Sequence, residues 1–397
     1  MIPHMKLLPT LFSIIFAVTA SGCGTTGRTL LDVSGSQWPD GTAIILCDET
    51  GTTSSTSLYA GRTALSVPAG NRFTLVARSR TMLTYYSPSF YRDTMSGEFT
   101  LPAPRPRRRA GAWQFGYHVS PAIPDSLERT ILSASTTKIT AVTIPVNAKN
   151  NGLDGELSAS GVELLVELNT GLQKIAWLRK NIDSLAAKDY DGIVIPVEHI
   201  GTRDPSIFAV GIAAAHKHEM TVCLAIPSDS LSTIGTLLES IAALPHPDRP
   251  DELRLEFALS QTHPFVLAED ILSAIQTLIK FGFTAETITH EVTISAVKWQ
   301  VHDGILEPAD IPAGEMDRLI TTRGDTGAVR LGDGSLRIGN HGFLYGYIDT
   351  ETVTNLISSL RSISSIRVGG IHIKYDATGP FPTPDDLARY YTAILNP

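Results

Sequence analysis

The segment Asp191-Gly192-Ile193-Val194-Ile195-Pro196-Val197-Glu198 carries a branched apolar run into a single carboxylate. Strand alternation puts Val194, Pro196 and Glu198 on one face, with Glu198 at the carboxyl end. There it could lend a proton to a leaving group if burial keeps it neutral, or it could cap a helix or hold a salt bridge. Glu167 and Glu256 fall on two more strand-like runs. His216 and His218 share no helix face and have no convincing third ligand, so they read as helix-surface residues rather than metal ligands. His372 and His263 either line the end of a sheet or are buried structurally, and Trp299 and Tyr375 offer flat apolar contact or packing.

Positioning these residues requires regular elements. After Trp113 the pattern alternates strand and helix, with candidate strands at Gln114–Val119, Ile139–Val146, Val162–Leu168, Gly192–Val197, Thr221–Ile226, Leu253–Leu259, Val292–Trp299 and Val368–Tyr375. Runs of Val, Ile and Leu suit parallel strands covered on both faces. Helical patterns at Leu172–Ala187, Pro205–Glu219, Ser230–Leu244 and Ala268–Phe281 separate several of them. Eight such units predict an α/β fold, a (β/α)8 TIM barrel, with a small insertion rich in Gly and Asp from Asp303 to about Gly342, between strands seven and eight. An open doubly wound sheet is the alternative, but no glycine-rich phosphate motif follows the first strand.

Upstream, short runs broken by turn residues, such as Ala43–Leu46, Ala64–Val67 and Phe73–Ala77, predict a small antiparallel all-β sandwich over residues 23–104. Residues 105–112, rich in Pro and Arg, read as a linker, so the barrel at 113–397 is expected to fold alone with few contacts crossing. The 40 acidic against 32 basic side chains give a formal charge of −8, which offers no general attraction for nucleic acid. At the start, Lys6 precedes the apolar run Leu7–Ala20, which is too short for a membrane span and has the proportions of a signal peptide. Ala20-Ser21-Gly22-Cys23 resembles a bacterial lipobox, which implies a signal peptide over 1–22 and lipid on Cys23. Cys47 and Cys223 then read as small buried hydrophobes.

The Asp191–Glu198 segment resembles the D-G-x-D-x-D-x-E signature of glycoside hydrolase family 18, the chitinase-like enzymes, through Asp191, Gly192 and Glu198. Phe115-Gly116-Tyr117, Val162–Gly171 and Gly369-Gly370-Ile371-His372-Ile373 are similar to the family's first, third and eighth strands, so the resemblance spans roughly residues 113–397. It implies Glu198 as general acid with Asp191 in the catalytic motif, the substrate's own acetamido oxygen as nucleophile, and no metal or cofactor. Its substrate-binding candidates are Tyr117, Asn169, Glu256, Trp299, Lys374 and Tyr375. Val194 and Pro196 replace the two inner aspartates, Lys374 stands where the family stacks a Trp, and no Met-x-Tyr-Asp occurs near Leu255-Glu256-Phe257-Ala258. A conventional two-carboxylate glycosidase would instead need carboxyls ~5.5 Å apart to retain, or ~6.5–9.5 Å apart to invert. Together with the lipobox resemblance, this implies a lipid-anchored protein of the bacterial cell envelope. It would bind, and weakly hydrolyse, β-linked N-acetylglucosamine-containing glycans, either chitin-like or peptidoglycan-derived. The alternative is an inactive glycan-binding or protein-interaction lipoprotein.

Overall fold

The computed structural model describes residues 28–395 apart from internal segments that include 92–96, 105–112, 147–156, 169–174, 198–204, 258–265 and 363–367. Eight parallel strands close a barrel in the order Ala141–Pro145, Glu163–Glu167, Gly192–Pro196, Thr221–Pro227, Glu252–Glu256, Ile288–Ile294, Gly370–Tyr375 and Gln114–His118. The last of these is first in the chain. The outward side chains, among them Leu164, Val166, Ile193, Ile195, Val222, Leu224, Leu253, Leu255, Ile371 and Ile373, are buried together with the inner faces of the surrounding helices. Those helices include Asp125–Ser135, Ile175–Ala186, Pro205–Lys217, Gly235–Ala242, Ala268–Lys280, Thr350–Ser362 and Pro384–Leu395. In Ala268–Lys280 the buried Ile271, Ala274, Ile275 and Leu278 repeat at the three- and four-residue spacing of one helix face.

The seventh barrel strand stops at Ile294, and the insertion starts at once rather than at Asp303. Ala296–His302 is the second strand of a five-stranded antiparallel sheet, spanned with Ile305–Ala309, Ala328–Arg330, Leu336–Asn340 and Phe343–Tyr347. The sheet packs Met316 and Leu319 of the helix Glu315–Arg323 beneath Ile338, Tyr345 and Tyr347. The expected strand Val292–Trp299 thus joined two elements that belong to different sheets.

Before the barrel, Arg62–Pro68, Arg28–Ser34 and Gly97–Thr100 form one sheet, while Gly51–Ser57, Ala43–Asp48, Arg72–Arg78 and Tyr85–Tyr86 form another. Leu31, Val33, Leu65 and Val67 from the first bury against Ile44, Leu46, Phe73, Leu75 and Ala77 from the second. The sandwich departs from the expected antiparallel pattern in one pair, since Arg28–Ser34 and Gly97–Thr100 run parallel. It is also bound to the barrel. The fully buried Arg78 donates from Nη1 to Ala186 O at 2.9 Å and from Nη2 to Lys188 O and Tyr190 O at 3.2 and 2.7 Å. Those carbonyls end the helix Ile175–Ala186 and begin the approach to the fourth strand, so one guanidinium satisfies the helix end and ties the sandwich to it. Among the described residues, this one side chain supplies three hydrogen bonds that cross between the two parts. The linker itself, 105–112, lies outside the described residues.

Candidate functional site

The strand register orders the barrel interior. Closing eight tilted strands staggers neighbours by one residue each and sets inward side chains in layers of four from alternate strands. Carried round the ring, the pairings give a layer of Pro145, Pro196, Glu256 and Lys374 nearest the carboxyl end. Below it lie His118, Glu167, Ala225 and Glu291, and then Thr143, Val194, Arg254 and His372. Barrel layers are ordinarily branched apolar residues. Here three successive layers hold ionisable groups, and burying charge costs stability unless partners compensate it.

In the second layer His118 is that partner. Its Nε2 lies 3.0 Å from Glu167 Oε2 and its Nδ1 lies 2.9 Å from Glu291 Oε2, while Lys374 Nζ reaches Glu291 Oε1 at 3.4 Å. Burial works against a charged imidazole, but Glu291 and then Glu167 override it and hold the His118 pKa above its ordinary value. Burial likewise works against the Glu291 carboxylate, yet His118, Lys374 and Arg254 hold it well below the usual range. Glu167 is lowered in the same way, with His118 overcoming burial. Glu256 behaves oppositely: burial first and the neighbouring Glu291 second push it up to about 7, against the pull of Lys374 and His118.

Arg254 and His372 of the third layer join Glu252 and Thr289, which lie below it, in a closed ionic knot. Arg254 Nη1 donates to Thr143 Oγ1 at 2.8 Å, and its Nε and Nη2 both donate to Glu252 Oε1 at 3.2 Å. Thr289 Oγ1 donates to the same oxygen at 2.6 Å, and His372 Nε2 stands 3.2 Å from it. Room for the His372 ring comes from Gly116, where a Cβ would lie 1.9 Å from Nδ1. This knot is sealed from solvent, so of the two polar sets only the upper one opens to the mouth, through the half-buried Glu167, Glu256 and Lys374. Among the described residues no group of three His, Cys, Asp or Glu side chains has the geometry to hold a metal ion.

The expected site residues divide sharply. Lys374 and Glu256 stand in the mouth, whereas Glu198, Asn169 and His263 lie outside the described residues. Tyr117 and Tyr375 face outward, their rings 6.3 Å apart behind the barrel wall, with Tyr117 donating to Glu128 Oε1 at 3.2 Å. Outward strand positions meet helices, not ligand, so neither tyrosine is a substrate contact. Trp299 is 4% exposed in the insertion sheet beneath Arg337, whose Cζ is 4.9 Å from the ring, and is removed from the mouth by the early end of strand seven. Asp191 precedes the fourth strand at its amino end, where Oδ2 accepts from Leu164 N at 2.9 Å, so it pins two strands rather than serving catalysis. His216 is 9% exposed and bonded to Asp251 Oδ2 at 2.9 Å, not a surface residue. His118, Glu291, Arg254 and Glu252 were missed, although the strict alternation in Glu252-Leu253-Arg254-Leu255-Glu256 already marks two opposite faces.

No family model matches the sequence, and no curated protein does. Solved structures do match in fold. The chitinase-like agglutinin from Robinia pseudoacacia superposes with a TM-score of 0.52 at 13% identity, covering 70% of this chain and 99% of that one. Human YKL-39, described as a pseudo-chitinase with retained chitooligosaccharide binding properties, gives 0.54 at 11% identity, covering 71% and 100%. The class V chitinase from Nicotiana tobaccum gives 0.52 at 12% identity, covering 70% and 98%. The fold is therefore the chitinase-like (β/α)8 barrel. A chitinase and a pseudo-chitinase share it at comparable similarity, so fold alone does not assign turnover.

Proposed function

We propose that the barrel mouth binds β-linked glycans containing N-acetylglucosamine, and that the protein is a lipid-anchored component of a bacterial cell envelope. The observation that carries the glycan reading is a chitinase-like barrel whose polar layers are opened at its carboxyl end, the face on which such barrels bind ligand. The half-buried Glu167, Glu256 and Lys374 offer the few convergent polar groups that orient hydroxyls and amides, and Pro145 and Pro227 supply apolar rim. The lipobox-like Ala20-Ser21-Gly22-Cys23 supports the anchor.

Hydrolysis assisted by the substrate's acetamido group is weak at most. Pro196 occupies the inward position where the chitinase-like motif has its orienting aspartate, and it has neither carboxylate nor N–H. Losing one such contact to a transition state costs ~10²–10³ in rate. The reading is tested by calorimetric titration of the purified protein with N-acetylglucosamine tetramer. Saturable binding at one site supports it, and no detectable heat up to millimolar ligand refutes it.

A further inference from the structure

The sandwich meets the barrel at the end opposite the mouth. Along the strand Arg72–Arg78, Phe73, Leu75 and Ala77 enter the sandwich core, so Thr74, Val76 and Arg78 face the other way. Ala43, Ile45 and Cys47 of the paired strand share that outer face with Val76, and all four are buried although they point away from the core. On the same face the fully buried Arg78 reaches the carbonyls of Ala186, Lys188 and Tyr190 at 2.9, 3.2 and 2.7 Å. Those residues join the end of the helix Ile175–Ala186 to the start of the strand Gly192–Pro196, which is the amino end of the barrel.

The sheet of Arg62–Pro68, Arg28–Ser34 and Gly97–Thr100 is therefore the layer remote from the barrel. Its outer face carries Leu30, Asp32, Arg62, Ala64, Glu98 and Thr100, all exposed. The chain enters the sandwich in this layer: Arg28 starts its central strand, and Cys23 precedes Arg28 by five residues, a reach of at most ~18 Å. A lipid on Cys23 thus keeps this face beside the bilayer. Asp32 and Glu98 outweigh Arg62 there, so the face has no attraction for anionic headgroups and the short tether sets its distance. The mouth, at the carboxyl end of strands such as Thr221–Pro227, opens on the other side, ~35 Å beyond the outer sheet by sheet spacing and tilted strand length.

We infer that the sandwich is a spacer that turns the barrel mouth away from the protein's own membrane, and that the glycan taken there is a polymer strand held off that membrane rather than a saccharide linked to lipid within it. The inference rests on the readings of Cys23 as the anchor and of the mouth as a glycan site. A saccharide on a lipid of the same leaflet would have to pass both layers of the sandwich and the whole barrel to reach Glu256 and Lys374, which a short one does not. A strand lying beyond the barrel meets the mouth directly.

The test uses the full chain, extracted from membranes in lipidated form and returned to vesicles with spin-labelled headgroups, which quench a dye only at short range. The dye is carried on an azide-bearing amino acid in place of either Leu30, on the outer sheet, or Asp229, exposed just past Pro227 at the rim of the mouth. The dye at 30 is expected to be quenched several-fold more than the dye at 229; equal or reversed quenching overturns the inference. Vesicles carrying the protein are then mixed with vesicles carrying N-acetylglucosamine tetramer on a lipid. The two are expected to cluster, free tetramer should reverse the clustering, and tetramer-lipid placed in the protein's own vesicles should leave it unchanged. Loss of clustering in that last arrangement means that the mouth faces its own membrane and overturns the inference. A chain that carries no lipid and does not float with vesicles overturns the anchor reading. The same quenching comparison, made on chain coupled to a maleimide lipid through Cys23, then still decides the orientation, since Cys47 and Cys223 are buried. Free tetramer that fails to bind overturns the glycan reading and with it the ligand half of the inference, while quenching alone decides which way the mouth points.

Discussion

Glu128 offers a sharp test of how buried charge is handled behind the barrel wall. It projects from the helix Asp125–Ser135, is 5% exposed, and its Oε1 accepts from Tyr117 Oη at 3.2 Å and from Ser120 N at 3.0 Å. Burial is the largest influence and raises its pKa to about 7 from an ordinary 4.5, even though both hydrogen bonds pull the other way. A carboxyl with a raised folded-state pKa contributes stability that is complete below about pH 4.5 and is lost as pH rises through about 7. A rise of this size corresponds to roughly 3 kcal/mol of stability lost across that window, at 1.36 kcal/mol for each unit. Glu128→Gln keeps an oxygen able to accept both hydrogen bonds and removes the charge. Urea unfolding at pH 4.5 and pH 8 should therefore show the variant close to wild type at the acid end and more stable by about 3 kcal/mol at the alkaline end. Stability curves that run parallel across the whole range would refute the reasoning.

Three further outcomes follow from particular contacts. Arg78→Met removes the three hydrogen bonds from the sandwich to Ala186, Lys188 and Tyr190, and should cost ~2–4 kcal/mol by calorimetry and speed tryptic release of the sandwich; an unchanged digestion pattern contradicts it. Glu252→Gln leaves Arg254 as an uncompensated buried cation and should destabilise by ~3–5 kcal/mol in urea unfolding, whereas a neutral effect would mean that the knot is not ionic. Cys23→Ser should move the protein from the membrane fraction to the soluble one and remove the lipid mass from the intact protein, because a lipid anchor on that sulfur would supply the attachment. Retention of the variant in the membrane fraction counts against the anchor.

The barrel was legible because parallel strands covered by helices must bury their outward Val, Ile and Leu, and those runs stand out between helical patterns. The ends of strands were less so. Nothing in Val292–Trp299 announces that Ser295 breaks a barrel strand from an antiparallel one, since both halves are β-formers, and the error carried Trp299 into the mouth. Tyr117 and Tyr375 failed for a different reason. One-residue parity decides whether a strand side chain faces lumen or helix, and in both strands it turns the tyrosine toward the helices. By the same parity Val194 and Pro196 face inward. The ionic layers stayed hidden because compensation between His118, Glu167 and Glu291 joins residues up to 173 positions apart, and no local pattern encodes that pairing. Arg78 is similar, since its partners follow by more than 100 residues and were assigned to a separate unit.

The central claim, that the barrel mouth is a glycan site, is tested most directly by a crystal structure of the protein soaked with N-acetylglucosamine tetramer. The account predicts sugar density at the carboxyl end of the barrel, within hydrogen-bonding distance of Glu167, Glu256 or Lys374. Density lodged instead on the sandwich or the insertion sheet, or an empty mouth at ligand concentrations that saturate binding in solution, would contradict it.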